Sequence, residues 1–176
     1  GGIFIDRDND PVILSNCHVI AWENKAKLGD IIYQPGVYDS KGKLDFREWP
    51  DPVANLPYIG TLKQFVKLET KNNTQDSAIA KIHPKIVDGG LIDTLYPMIN
   101  QNCNGFGAAH VGQQVQKCGR TTGYTTGRVI GMNASFTIGY DFGPATFNDC
   151  IVFSAMSSGG DSGSIITDMS MNAVAH

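Results

Sequence analysis

The chain has no apolar run approaching the roughly 20 residues that a membrane-spanning helix needs. It also lacks a basic cluster: 14 Lys and Arg stand against 17 Asp and Glu, a formal net charge of −3. That balance offers no electrostatic footing for nucleic acid or an anionic membrane, so neither is expected as a partner. No Cys-x-x-Cys pair occurs, and the 4 cysteines (Cys17, Cys103, Cys118 and Cys150) are widely spaced. They allow three disulfide connectivities, between which sequence cannot choose, while composition favours reduced, buried thiols. A zinc site on Cys17 and His18 is disfavoured because neighbours along a strand point to opposite faces. No metal or cofactor is therefore expected. There is no repeat and no low-complexity tract. No signal peptide is visible, which sets a cytoplasmic expectation, and a start on Gly1-Gly2 sets the expectation that the native start is missing.

What is present is glycine and β-forming residues. A chain of 176 residues, 41% hydrophobic and 18% charged, suits one domain or one double barrel. Its 20 glycines, with many Thr, Val and Ile, favour short strands joined by turns. Residues 3–6 and 12–15 read as a hairpin across Arg7-Asp8-Asn9-Asp10, followed by a short helix over 19–27 with Trp22 available for packing. Strands are expected over 27–35, 59–68 and 76–82, then over 113–118, 128–132, 134–140, 150–154 and 164–167. Residues 36–57 read as an exposed loop, 83–114 as a linking stretch, and Thr125-Thr126-Gly127 as a turn.

One stretch carries chemistry more sharply than any other: Ser158-Gly159-Gly160-Asp161-Ser162-Gly163-Ser164. Glycines there permit a tight turn that a side chain would block. Such a turn can push a serine hydroxyl outward and aim successive N–H groups at one point, as acyl transfer requires. A Gly-Asp-Ser-Gly run also makes ordinary turns, so its meaning depends on a base and an acid elsewhere. Val12-Ile13-Leu14-Ser15-Asn16-Cys17-His18 is an apolar strand running into a histidine. Asp76-Ser77-Ala78-Ile79-Ala80 puts an aspartate at the mouth of another strand, with Asp45 and Asp51 as less well-placed rivals. His83, His110 and His176 lack comparable surroundings. The order is His18, Asp76, Ser162, the order of the chymotrypsin type.

These pieces resemble the trypsin-like (chymotrypsin-fold) serine peptidases, of the short bacterial or viral-like type. Leu14–Val19 is similar to the family's histidine box, 76–80 to its aspartate box, and 160–164 to its serine box. Gly1–Ile5 resembles the strand before the histidine hairpin, and 115–123 the strand that opens the second barrel. The resemblance implies an all-β fold of two six-stranded-type antiparallel β-barrels. The first would span 1–90 and carry His18 and Asp76; the second would span 91–176 and carry Ser162. It implies a serine endopeptidase: Ser162 as nucleophile, His18 as general base and then acid, Asp76 orienting the imidazole, and the Gly160 and Ser162 N–H groups as oxyanion hole. Met156, Ser158 and Gly159 would border the substrate pocket, with Met156 at an uncharged floor. Asp161 is expected to satisfy local backbone donors rather than a freshly cut terminus. Arg120, Thr121 and Thr122 read as a structural hairpin.

In that family later strands complete the second barrel, so an incomplete barrel with an open edge is expected, covered by a second fragment of the same protein or another protomer. Self-processing is a related expectation. The alternatives are a protease-like fold kept as a non-catalytic binding or scaffold module, and an ester hydrolase.

Overall fold

The computed structural model describes residues 1–33, 58–84 and 105–176. Apolar, β-branched runs bounded by turn residues set its strands. The first are β1 (Gly2–Ile5) and β2 (Pro11–Ser15), an antiparallel hairpin with Gly2 opposite Leu14 and Ile5 opposite Pro11. Its turn is fixed by Asp6, whose carboxylate accepts the N–H groups of Asp8 and Asp10, and by Asn9 at φ 66°. Asn tolerates that left-handed conformation better than most residues.

β3 (Ile31–Tyr33), β4 (Tyr58–Phe65) and β5 (Ala78–Ile82) complete a five-stranded sheet in the order β1-β2-β5-β4-β3. Ile32, Leu62, Ala78 and Ala80 of this sheet form a core with Cys17 and Ala21 from the helical segment and Leu68 after β4. Each large apolar side chain buried there contributes about 1.5–3 kcal/mol.

The second sheet holds β6 (Gly105–Phe106), β7 (Gln114–Gly119), β8 (Gly123–Tyr140), β9 (Gly143–Phe153), β10 (Ile166–Asp168) and β11 (Asn172–Ala175), in the order β6-β11-β10-β7-β8-β9. All its pairs are antiparallel except β11 with β6. Val115, Val129, Met156 and Ile166 form its core. The chain is therefore all-β, with two sheets and a short helical turn, α1 (Cys17–Ile20), between β2 and β3.

The β8–β9 hairpin does more than close its own sheet. Its outer half reaches the first sheet, where Ala145 and Phe147 are buried in the first core and Tyr140 and Cys150 pack against it. Asn73, in the loop before β5, donates its side-chain amide to the Thr146 carbonyl at 3.0 Å and accepts the Asn148 N–H on its own carbonyl at 2.8 Å. The second half of the chain thus supplies part of the first half's core.

Several local expectations are corrected. The helix expected over 19–27 is only α1, because Trp22, Glu23 and Asn24 take positive φ (45°, 50° and 71°). Asn24 dictates that bend: its amide bonds both the N–H and the carbonyl of Leu68. Trp22 is exposed rather than packed. Thr125-Thr126-Gly127 is not a turn but part of β8, opposite Val115–Lys117. The two strands expected over 128–140 are one, and the gap between them is an irregularity in pairing around Asn133, whose φ is 54°. The expected loop over 36–57 and most of the linking stretch, 85–104, lie outside the described residues. So does Cys103, while Cys17, Cys118 and Cys150 are free thiols.

Candidate active site

The site is assembled by strand register. Ser15 at the end of β2 faces Ala78 at the start of β5. His18 is the second residue of α1, three after Ser15, and Asp76 precedes Ala78 by two, so both come to the same end of neighbouring antiparallel strands. Their side chains meet: His18 Nδ1 bonds Asp76 Oδ2. The backbone reinforces the pair, with the His18 N–H donating to Asp76 Oδ1 at 3.2 Å and Asn16 Nδ2 to the Asp76 carbonyl at 2.6 Å. Asn16 thereby fixes the loop that carries the acid.

A further donor comes from the tip of the β8–β9 hairpin. The Tyr140 hydroxyl donates to Asp76 Oδ2 at 3.0 Å. Burial opposes ionisation of Asp76, but the hydrogen bond and charge of His18, its backbone N–H and the Tyr140 hydroxyl together hold the carboxyl below its ordinary range. The Tyr140 phenol is pushed well up, first by burial and then by the Asp76 charge, so it remains a donor.

Ser162 sits exposed in a double turn, Asp161 N–H to Ser158 carbonyl and Ser164 N–H to Asp161 carbonyl, each 3.0 Å. Gly160 (φ 97°) and Gly163 (φ 80°) supply the left-handed backbone this shape requires. They also supply space. A Cβ on Gly160 would stand 2.4 Å from Thr121 Oγ1, and one on Gly163 would stand 2.2 Å from Ser15 Oγ and 3.4 Å from the Asn16 amide nitrogen. The serine turn therefore lies directly against the end of β2, at the residues that lead into His18. Asn16 and Ser162 line one cleft of about 250 Å³ together with Lys117, Ser158 and His176.

Asp161 anchors the turn from behind. Its carboxylate accepts the N–H groups of Thr121 (2.8 Å), Thr122 (3.1 Å) and Ser158 (3.0 Å) and the Thr122 hydroxyl (2.7 Å). Lys117, buried inside β7, brings its ammonium to 3.2 Å from the same carboxylate. Burial works against the charge on Asp161, but the Thr122 hydroxyl and the N–H groups of Ser158, Thr122 and Thr121 outweigh it and depress the carboxyl far below its usual range. The 120–122 turn thus clamps the serine turn, and the Thr121 hydroxyl adds a 2.8 Å bond to the Gly159 carbonyl.

Of the other residues named from sequence, Ser158 lines the cleft, while Gly159 is exposed beside it. Met156 is 93% buried (7% exposed) among Val115, Val129 and Ile166, and its side chain belongs to the core rather than to the cleft lining. Asp45 and Asp51 lie outside the described residues. His176, which no motif marks, lines the cleft and approaches the Asp76 backbone. Sequence reasoning also missed Lys117 and Tyr140. Lys117 had a signal, since it shares strand parity with the fully buried Val115 and Gly119, the inward face of β7. Tyr140 had none. Among the described residues no cluster of His, Cys, Asp or Glu could hold a metal ion.

Comparison of the whole backbone with solved structures places this arrangement. A glutamic-acid-specific serine protease that uses a histidine triad in substrate binding matches 97% of this chain and 73% of its own, at TM-score 0.59 and 21% identity. The Nocardiopsis protease NAPase matches 98% and 72%, at TM-score 0.57 and 16% identity. This is the chymotrypsin-like fold of the bacterial serine peptidases. Protease A of Thermobifida fusca shares it over 98% of this chain and 71% of its own, at TM-score 0.53 and 16% identity. No family model matches the sequence. No curated protein matches it either. At these identities the chymotrypsin-like likeness is one of fold, and the chemistry of this chain must be argued from its own residues.

Proposed function

We propose that the chain is a serine endopeptidase acting on peptide or protein substrates through Ser162, His18 and Asp76. The observation that carries this reading is the close approach of Gly163 to Ser15 and Asn16, which sets the Ser162 turn beside the strand end that bears the His18–Asp76 pair. In the proposed reaction the Ser162 oxygen attacks the scissile carbonyl while His18 takes its proton. The negative oxygen that forms is met by the Gly160 and Ser162 N–H groups, donors fixed by the turn and worth about 3–4 kcal/mol each in systems of this kind. His18 then gives its proton to the departing amine, leaving an acyl group on Ser162. Water attacks the ester with His18 again as base, which releases the acid and restores the hydroxyl. Asp76 holds the imidazole in the tautomer that keeps its other nitrogen facing Ser162 and stabilises the imidazolium.

The His18 ring is about one-third exposed and Asp76 nearly enclosed, side-chain exposures of 30% and 12%. That contrast suits a base open to substrate and an orienting acid that is not. Self-processing belongs to the same proposal, with an exposed segment of another copy as the substrate.

The test is a fluorophosphonate probe followed by intact mass spectrometry. Wild type should gain one phosphonyl adduct on Ser162, and Ser162→Ala should gain none. Trimmed species that form in wild type but not in Ser162→Ala would add self-processing. A wild type that stays unlabelled would replace the peptidase reading with that of a binding module.

A further inference from the structure

We propose that Tyr140 is a positioning residue for the reaction, a device by which the β8–β9 hairpin of the second sheet fixes the acid of the first. The inference rests on the peptidase reading of His18, Asp76 and Ser162.

The geometry has three parts. Tyr140 Oη donates to Asp76 Oδ2, the oxygen that also binds His18 Nδ1, while Oδ1 takes the His18 N–H. Both carboxylate oxygens are engaged, so the group cannot swing without breaking bonds to two different elements. The Tyr140 ring lies 5.9 Å from the His18 ring, tilted by 59°, and is stacked on Phe142 at 5.4 Å and 5°. The hairpin tip that carries it is tied to the segment after α1: the Asp141 N–H donates to Glu23 Oε2 at 2.8 Å, and Lys25 Nζ pairs with Asp141 at 2.8 Å. A phenol presented by a tethered tip loses little freedom when it holds the carboxylate.

A packing role for the ring alone accounts for its contact with Phe147 in the first core but not for the hydroxyl aimed at Asp76. The two roles separate in their effect on proton affinity. A donor on the carboxylate stabilises its anion, so removing the hydroxyl makes Asp76 more basic. A more basic carboxylate binds the imidazolium more tightly, and a higher pH is then needed to free the base. The charged or titratable groups facing this pair are Cys17 and Glu23 from the segment around α1, Tyr140 itself, and His176 at the end of β11.

The experiment is the rate of fluorophosphonate labelling of Ser162 across pH, in wild type, Tyr140→Phe, and protein carrying 3-fluorotyrosine at position 140. Tyr140→Phe keeps the ring and should slow labelling about tenfold to a hundredfold at neutral pH, the loss expected of a hydrogen bond to a charged group. Its acid limb should move to higher pH. Fluorotyrosine is a stronger donor and should move the limb to lower pH. Labelling of Tyr140→Phe at the wild-type rate, with the limb unmoved in both proteins, would overturn the proposal. Absence of label in wild type would instead remove the peptidase reading. The carboxyl carbon of Asp76, titrated by NMR, would then still decide the hydrogen bond, by rising in pKa in Tyr140→Phe or by staying where it is.

Discussion

Replacing Lys117 by Met tests the support beneath the serine turn. Met fills nearly the same volume but carries no charge. The Lys117 and Asp161 side chains are 1% and 3% exposed and meet at 3.2 Å, so the substitution strands a carboxylate in the interior. Removing one partner of a buried ion pair costs about 3–5 kcal/mol. Asp161 keeps the N–H groups of Thr121, Thr122 and Ser158 and the Thr122 hydroxyl, which places the expected loss at the low end, about 3 kcal/mol. Against a domain stability of about 5–15 kcal/mol this is large. With a urea slope of about 1–3 kcal/mol per molar, the unfolding midpoint should fall by roughly 1–3 M. Labelling of Ser162 should slow as well, because the carboxylate that loses its counter-charge also joins the serine turn to the 120–122 turn. Adding Asp161→Asn to Lys117→Met removes the stranded charge and should restore part of the stability. A single variant within about 0.5 kcal/mol of wild type, with a double variant no more stable than the single, would refute the reasoning.

Two further outcomes follow from the same geometry. Gly163→Ala combines a left-handed backbone, worth about 1–2 kcal/mol against any residue with a Cβ, with a Cβ 2.2 Å from Ser15 Oγ. It should separate the serine turn from the end of β2, and near-wild-type labelling with unchanged stability would count against the contact. Acidification should weaken the fold through Asp161 and Asp76. Both carboxyls are depressed in the folded chain, so their contribution is complete above the ordinary carboxylate value of about 4 and is lost as pH falls through the lower folded values. Denaturant titrations should show stability falling below pH 4, with a shallower fall in Asp161→Asn.

The all-β character and the three segments that meet at the site were legible in the sequence because each is written locally. Short, continuous apolar runs give Pro11–Ser15 and Ala78–Ile82, and the glycines around Ser162 specify the turn that exposes it. The short helix was overextended for a long-range reason. Asn24 bonds Leu68, 44 positions away, and that bond forces the left-handed bend that helical periodicity around Trp22 does not announce. The strand break read at Asn133 was real as an irregularity but not as an end, since pairing with β9 resumes beyond it.

What only the tertiary structure decided is who supports whom. Local pattern and order single out His18, Asp76 and Ser162 as candidates: a strand running into a histidine, an aspartate at the mouth of a strand, and a serine between glycines. Nothing local says that Lys117, in a strand of the second sheet, is the cation behind Asp161. Nor does anything near Tyr140 say that its hydroxyl crosses from the second sheet to the acid of the first. Those partners are set by strand register and by the reach of the β8–β9 hairpin, properties that exist only once both sheets have formed and burial makes an unpaired charge costly.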